Sequence, residues 1–289
     1  MRRAYGLLLI LWLGSGYLGV ISAEDSTVEL EIPIFVGGYG IQFWLDTARL
    51  FEEQNPHIKV NLYGDARIAN KMRIRVIGGD YPDATECELP WMELIEAGKV
   101  VDLRPYLEGP NWEGDQTWRD TFQPGSLDPW TLDDGGIYAV PFAYSIVGVY
   151  YNKKLFRENG WEVPETWDEF FQLCETIKAE GIPPIALTGI YARYIDNYLR
   201  SAHYSLVGPE EYRRFLYLEE GTRTHPGYIR AAALIQKIAL HYLQPGWEGM
   251  SHTAAQLEFF QGNAAMVSTG SWLNSEMRGK IPEDFELGM

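Results

Sequence analysis

Apolar residues follow strand spacing and helix spacing in turn from residue 28 onward. An alternating stretch comes first, then a stretch with helical periodicity that Asn55 and Pro56 end, and then a second alternating stretch. The apolar positions of these three stretches are Val28, Leu30, Ile32 and Ile34; Ile41, Trp44, Leu45, Ala48 and Phe51; and Ile58, Val60 and Leu62. This order predicts a βαβ unit, and the same alternation farther along predicts an α/β fold with largely parallel sheets.

A second strand and helix pair is predicted around residue 150. Residues 146–150 form an apolar run rich in β-branched and aromatic residues, which favours a buried strand. Asn152 is then expected to begin a helix that Gly160 ends. Thr166 and Glu169 have the spacing of a capping box, so the next helix is predicted to begin there.

The remaining pattern is one short strand followed by a mostly helical region. Residues 184–188 are predicted to form the strand. Residues 191–260 favour helices, with breaks expected near Gly208, Pro226 and Gly246.

The first 23 residues have the composition of an export signal. Arg2 and Arg3 precede an apolar core at residues 7–13, and Ser22 and Ala23 are small residues suited to peptidase cleavage. The unbroken core is shorter than the span of about 20 apolar residues that crosses a bilayer. We therefore expect a signal peptide at residues 1–23 and a periplasmic or extracellular protein, with a retained membrane anchor as the alternative.

Charge and cysteine content exclude several classes of partner and cofactor. The formal charge of the 289-residue chain is -16, and removing Arg2 and Arg3 with the signal makes it -18. Such a charge repels nucleic acid and anionic membranes, so no nucleic-acid partner is expected. Cys87 and Cys174 are the two cysteines of the chain; we expect both to be free thiols, with no metal site and no cofactor.

Residues 141–158, PFAYSIVGVYYNKKLFRE, carry the most specific motif of the chain. The spaced positions of this motif are Pro141, Gly148, Tyr151, Asn152, Phe156 and Glu158. Together they resemble one segment of the bacterial extracellular solute-binding proteins, type 1. Residues 44–60, 81–103, 135–144 and 260–272 are similar to further segments of that family, and they occur in the family's order.

The resemblance implies a receptor of two α/β lobes, with the type II periplasmic-binding-protein fold. The implied lobes are residues 24–143, which would be incomplete, and residues 144–289, which would end near the second crossing between the lobes. Such a receptor closes on a solute and delivers it to the membrane permease subunits of an ABC importer; it is a monomer and not an enzyme. The chain ends where family members cross back to the first lobe, so we expect the C-terminal part of the fold to be missing and a sheet edge to be exposed.

Aromatic residues favour a carbohydrate as the ligand. The chain contains 10 Trp, 18 Tyr and 12 Phe residues, and sugar rings pack their apolar faces on aromatic rings while their hydroxyls bond polar side chains. The resemblance places Trp272 at the family's stacking position, and Tyr144 and Ser145 at the first crossing. Alternatively, Trp272 packs under the following helix and Tyr144 packs at a hinge.

Four further candidates follow predicted strands at the carboxyl ends where open α/β sheets bind ligands. Tyr39 lies in a glycine-rich loop, Glu86 and Glu88 follow a third strand, and Tyr194 follows residues 184–188 beside Tyr191 and Asn197. The alternatives are a glycine turn for the loop, a solvated acidic loop for the two glutamates, and helix packing for the tyrosines.

Two other functions remain open. A secreted glycoside hydrolase would also be acidic and aromatic, but the chain has no GxSxG or HExxH motif, and its five His residues are scattered. The same fold could instead bind iron, a polyamine or a small peptide; Tyr191 and Tyr194 would be the candidate ferric ligands.

Overall fold

The computed structural model describes residues 27–289. The predicted signal peptide at residues 1–23 therefore lies outside the described residues. Across the described part of the chain, each helix is too short or too polar to cross a bilayer.

The first lobe begins with the predicted βαβ unit. Strand β1 (Val28–Phe35) is followed by helix α1 (Gln42–Gln54) and strand β2 (Ile58–Asp65). The two strands pair in parallel, with Val28 opposite Ile58 and Phe35 opposite Asp65. Three short helices complete this part of the chain: α2 (Ile68–Ile77), α3 (Trp91–Glu96) and α4 (Arg104–Leu107).

The third strand expected before Glu86 does not form a continuous ladder. A single parallel bridge joins Ile34 to Glu86, beside a few backbone bonds between residues 83–86 and β1. The physical reason lies in β1 itself. Pro33 has no N–H to donate, and the Glu31 N–H donates to the Asp83 carboxylate at 2.8 Å instead of to a backbone carbonyl.

An ion-pair network fastens α2 to β1. Arg75 donates from both terminal nitrogens to the Glu31 carboxylate, at 2.6 and 2.8 Å, and Tyr63 on β2 donates to the same carboxylate at 2.6 Å. Arg75 also donates to Asp80 at 2.7 Å. The bonds from Arg75 and Tyr63 lower the pKa of Glu31 to about 2.

The second lobe contains a mixed sheet and most of the helices. Its elements in chain order are β3 (Val147–Asn152), α5 (Lys153–Asn159), α6 (Trp167–Ala179), β4 (Ile185–Ala186), α7 (Asp196–Leu216), α8 (Pro226–His241), α9 (His252–Phe260), β5 (Met266–Gly270), α10 (Leu273–Glu276) and β6 (Leu287–Gly288). Short 3-10 helices occur in the first lobe at Arg119–Thr121 and Asp128–Trp130, and in the second lobe at Ala192–Ile195, Thr222–Thr224 and Trp247–Gly249.

The strand order of this sheet is β4-β5-β3-β6. β4 and β5 are parallel, but β3 runs antiparallel to both β5 and β6. The prediction of largely parallel sheets is therefore wrong for this lobe. The reason is that β3 runs away from the segment that arrives from the first lobe, whereas β5 runs back toward it, so Val147 lies opposite Gly270.

Local signals in the sequence placed the helix ends correctly. The Asn152 side chain accepts a hydrogen bond from the Leu155 N–H at 3.0 Å, and Gly160 ends α5 with φ of 67°. Thr166 and Glu169 form the predicted capping box of α6. At Gly208 the backbone leaves helical geometry, so α7 is kinked there.

The two lobes differ in how fully they bury their apolar residues. In the second lobe, α6, α8 and β5 enclose a core that includes Cys174, Ile177, Ile238 and Tyr242, all with essentially no exposed surface. In the first lobe, none of the residues of α1 is buried by the rest of residues 27–289. Phe43 and Leu50 on α1, and Ile74 and Ile77 on α2, are each at least 50% exposed.

Candidate functional site

The pairing of β3 with β5 brings together the segment that enters β3 from the first lobe and the turn that leaves β5. The Ser271 N–H donates to the Ile146 carbonyl at 2.9 Å, and the Ile146 N–H donates to Ser271 Oγ at 3.3 Å. Ser145 and Ser271 therefore lie side by side, although they come from distant parts of the sequence.

Tyr39 reaches this point from the first lobe. It lies in the glycine-rich loop after β1, and its hydroxyl is 3.0 Å from Ser145 Oγ and 2.9 Å from Ser271 Oγ. A phenol has one proton to donate, so at least one of the two serine hydroxyls donates to Tyr39. Tyr39 thus forms a bridge from the first lobe to the segment before β3 and to the turn after β5.

Trp272, which belongs to the second lobe, packs beside Tyr39. Its ring meets Tyr39 edge to face, with centroids 6.4 Å apart, and it meets Tyr194 at 6.4 Å. Two glycines leave room for the indole. A Cβ at Gly38 would lie 2.8 Å from Trp272 Cδ1, and a Cβ at Gly270 would lie 2.2 Å from Trp272 Cζ3.

A polar cluster lies behind Tyr194. The His252 ring stacks on Tyr194 with centroids 5.1 Å apart and planes at 17°, and its Nε2 is 3.0 Å from Glu276 Oε2. Gln256, one turn farther along α9, donates from Nε2 to the same oxygen at 2.8 Å. Glu276 itself is one helical turn after Trp272, because its N–H donates to the Trp272 carbonyl at 2.9 Å.

The surroundings shift the ionisation of two of these groups. Burial raises the pKa of the Tyr194 hydroxyl, and the nearby Glu276 charge raises it further. Burial alone would raise the pKa of Glu276, but hydrogen bonds from His252 and Gln256 outweigh it, so the pKa lies below its ordinary value. Glu276 is therefore a carboxylate at neutral pH, and Tyr194 remains a phenol.

A cavity of about 340 Å³ lies between the lobes beside this cluster. Its lining residues are Gly37, Gly38, Tyr39 and Gly40 from the first lobe and Ser275, Glu276 and Arg278 from the second. Another groove, of about 360 Å³, lies on the second lobe among residues such as Trp167, Phe170 and Tyr198. Among the described residues, only residues of the second lobe line that groove. The interlobe cavity is therefore the better candidate for a cleft that closes on a ligand.

The structure brings together four of the seven candidate residues of the sequence. Tyr39, Ser145, Tyr194 and Trp272 form one connected group. Tyr144 is 63% exposed and makes no hydrogen bond or ring contact with that group among the described residues.

The two candidate glutamates lie outside the group. Glu86 accepts a hydrogen bond from the Phe35 N–H at 3.2 Å, and its burial raises the pKa of its carboxyl group. The Glu88 side chain is 79% exposed, 3.9 Å from Arg73. A ligand role remains a prediction for these residues, as it does for Tyr39, Ser145, Tyr194 and Trp272.

Two residues close to Tyr194 in the sequence, Tyr191 and Asn197, make different contacts. The Tyr191 ring contacts both Tyr194 and His252. Asn197 donates to Ser268 Oγ at 3.0 Å and therefore fastens α7 to β5. Within residues 27–289 no group of three or more His, Cys, Asp or Glu side chains is arranged to hold a metal ion, and Cys87 and Cys174 are free thiols in this part of the chain.

Sequence reasoning missed Ser271 as a partner of Tyr39, and it missed the group formed by His252, Gln256 and Glu276. One signal was available. Glu276 follows Trp272 by four residues, and Gln256 follows His252 by four, which is the spacing that places two side chains on one face of a helix.

Two α/β lobes that meet around a cleft define a two-lobed solute-binding fold. The chain belongs to the family of bacterial extracellular solute-binding proteins, and the sequence model of this family matches residues 35–286. The predicted family and fold class are confirmed.

Similar proteins of this family include several that are named for sugars. The diacetylchitobiose binding protein NgcE of Streptomyces coelicolor is 28% identical over 274 residues, which cover 92% of this chain and 57% of that protein. The multiple sugar-binding protein of Streptococcus mutans is 28% identical over 309 residues, which cover 99% of this chain and 68% of that protein. The chain thus spans between about half and two thirds of the length of these relatives.

A solved structure of a related protein has the same fold. RafE, a solute-binding protein of Streptococcus pneumoniae, in complex with raffinose, superposes with a TM-score of 0.71 and 28% identity. The superposition covers 91% of this chain and 67% of that chain.

Proposed function

We propose that the protein is an exported receptor that binds a sugar or oligosaccharide between its lobes and delivers it to the permease subunits of an ABC importer. The observation that carries this proposal is the group of Tyr39, Ser145, Ser271 and Trp272. It offers an aromatic surface and several hydroxyl groups at a place where the two lobes touch. That combination suits a saccharide, which has apolar ring faces and many hydroxyls.

Three relatives support a carbohydrate as the ligand. Their names refer to diacetylchitobiose, multiple sugars and raffinose. The acidic charge of the chain is consistent with a neutral solute, and the aromatic cleft gives no reason to prefer iron or a polyamine.

The hydrogen bonds of Tyr39 support the proposal that the cleft closes on its ligand. Because it bonds Ser145 and Ser271 across the gap, the bridge exists only when the lobes are together. A ligand that contacts both lobes binds this closed arrangement better than an open one and shifts the population toward it. Permease subunits would then distinguish loaded from empty receptor by shape.

Binding rather than catalysis is proposed because the family consists of binding proteins. Incubation of the purified protein with raffinose, diacetylchitobiose and maltotriose, followed by chromatography of the sugars, tests this. A receptor returns each sugar unchanged, whereas shorter products would identify a glycoside hydrolase.

The ligand itself is found by a thermal-shift screen of neutral saccharides, amines and ferric citrate. A ligand at 100 times its dissociation constant adds about 2.7 kcal/mol to the free energy of unfolding, enough for a clear rise in melting temperature. A response to saccharides supports the proposal, and a response to amines or iron alone contradicts it.

Trp272→Ala tests the aromatic surface. We expect at least about a tenfold loss of saccharide affinity by calorimetry, equivalent to about 1.4 kcal/mol. Trp112→Ala is the matched control, because Trp112 is 60% exposed and makes no ring contact among the described residues. Equal affinities of the two variants would contradict the assigned role of Trp272.

A further inference from the structure

The two carboxylate oxygens of Glu276 differ in their hydrogen bonds. Oε2 lies 3.0 Å from His252 Nε2 and accepts from Gln256 Nε2 at 2.8 Å. Oε1 has no hydrogen-bond partner among residues 27–289. The side chain is only 17% exposed and lines the interlobe cavity. A carboxylate held in this way is a preorganised acceptor for a donor that enters the cavity.

The two residues that hold Glu276 are themselves fixed. His252 and Gln256 share one face of α9, whose first turn is capped by Ser251, and His252 stacks on Tyr194. Gln256 is 1% exposed, so its amide cannot turn freely to water. Its Oε1 is buried and has no partner within the described residues, while its Nε2 donates to Glu276 Oε2 and lies 3.1 Å from His252 Nε2.

The chemistry beside the free oxygen matches a sugar ring. Arg278 lines the same cavity and offers N–H donors. Trp272, one turn before Glu276, contacts Tyr39, which also lines the cavity. A carboxylate accepts only, so its partner must be a donor such as a hydroxyl group.

We propose that Glu276 is a specificity-determining residue of the cleft, whose Oε1 accepts a hydrogen bond from a hydroxyl group of a neutral saccharide that lies against Trp272. His252 and Gln256 act on the ligand through Glu276 and are positioning residues. The inference rests on the proposed sugar-binding function and deepens it, because it requires a free hydroxyl at the sugar position that faces Glu276.

The direct test is Glu276→Gln, which keeps the shape of the side chain and removes its charge. Affinity is measured by calorimetry at pH 7 for whichever of raffinose, diacetylchitobiose and maltotriose binds most tightly. At least a tenfold loss is expected. Glu283→Gln is the matched control, since it makes the same charge change at an exposed residue of the same lobe, and it should bind like the wild type.

His252→Phe tests positioning. Phenylalanine keeps a ring to stack on Tyr194 but cannot donate to Glu276 Oε2. Loss of that bond leaves burial opposed by fewer favourable contacts and so raises the pKa of Glu276 relative to the wild type, and affinity is expected to decline at a higher pH. The other groups that face Glu276 are Tyr194, Gln256, Arg278 and Lys280, and all are unchanged in this variant.

Glu276→Gln is the control for this effect, because it keeps the histidine but has no carboxylate to protonate. Its affinity should lack the decline at low pH that protonation of Glu276 causes in the wild type. Wild-type affinity in Glu276→Gln, or unaltered pH dependence in His252→Phe, would overturn the inference. Failure of every saccharide to bind the wild type would instead overturn the proposed function.

Discussion

The hydroxyl of Tyr39 lies 2.9 Å from Ser271 Oγ, so a residue of the first lobe bonds a residue that follows the last long strand of the second. The same hydroxyl lies 3.0 Å from Ser145 Oγ. Ser145 lies in the segment that enters β3 from the first lobe, and Ser271 lies in the turn after β5, so Tyr39 joins the first lobe to the edge where β3 begins and β5 ends.

Tyr39→Phe is expected to weaken saccharide binding by about three- to tenfold. The variant keeps the ring beside Trp272 and loses both hydrogen bonds, each of which contributes about 0.5 to 1.5 kcal/mol. The closed arrangement then becomes less populated, and apparent affinity falls with it. Calorimetry on Tyr39→Phe, Ser145→Ala and the double variant forms a double-mutant cycle.

In that cycle the two single losses should not add. Once the phenol is gone, Ser145→Ala removes little more, because the two groups share one bond. Full additivity would show that Tyr39 and Ser145 act independently, and it would contradict the bridge.

Gly270→Ala tests how closely the indole of Trp272 is held. An added Cβ would lie 2.2 Å from Cζ3 and 2.3 Å from Cη2, so the ring must move. We expect a loss of stability of about 1 to 3 kcal/mol, as for other overpacked sites, together with weaker saccharide binding. Gly249→Ala is the control, because the space around that position is open to 4 Å. Retained affinity in Gly270→Ala would show that the orientation of Trp272 does not matter for binding.

Thr166→Ala should destabilise the second lobe without affecting the cleft. Thr166 Oγ1 accepts from the Glu169 N–H at 3.2 Å, and loss of such a cap costs about 1 kcal/mol. Thr176→Ala on the same helix is the control, since Thr176 only donates back to the Gln172 carbonyl at 3.0 Å. Urea unfolding monitored by circular dichroism measures both. Equal free energies of unfolding for the two variants would be evidence against the capping box.

Local features of the sequence were sufficient to predict the first βαβ unit and the ends of α5 and α6. Asn152, Gly160 and Thr166 act on backbone groups within four residues of themselves, so their effect is independent of the rest of the fold. The pairing of β3 with β5 was not predictable in this way, because it depends on the direction of two strands distant in sequence. Pro33 was a readable signal against a continuous third strand, since it has no N–H.

The same distinction between local signals and long-range contacts applies to the candidate site. Tyr39 and Trp272 were predicted individually, from a strand end and from a family motif. Their contact with each other depends on how the lobes meet. The group of His252, Gln256 and Glu276 was missed because its members come from two helices, and neither helix alone contains an unusual cluster of polar residues.

Acidification is expected to weaken the first lobe through Glu31. Its pKa is about 2 in the folded protein, against an ordinary value of 4.5, because Arg75 and Tyr63 donate to the carboxylate. The folded state therefore binds this proton less readily than the unfolded state. The resulting stability is fully present above pH 4.5 and is lost as the pH falls toward 2. Glu31→Gln lacks this titration, so its melting temperature should lie below that of the wild type at pH 7 and approach it as the pH falls.

Other carboxylates titrate in both proteins, and the difference between them isolates Glu31. Glu29→Gln is the matched control, because Glu29 lies on the same strand, is exposed and forms no ion pair within residues 27–289. A wild-type advantage over Glu31→Gln that stays constant from pH 7 to pH 2.5 would show that the carboxylate does not owe its low pKa to Arg75. Disappearance of that advantage, with Glu29→Gln unaffected, would identify the bond between α2 and β1 as the acid-sensitive contact of this lobe.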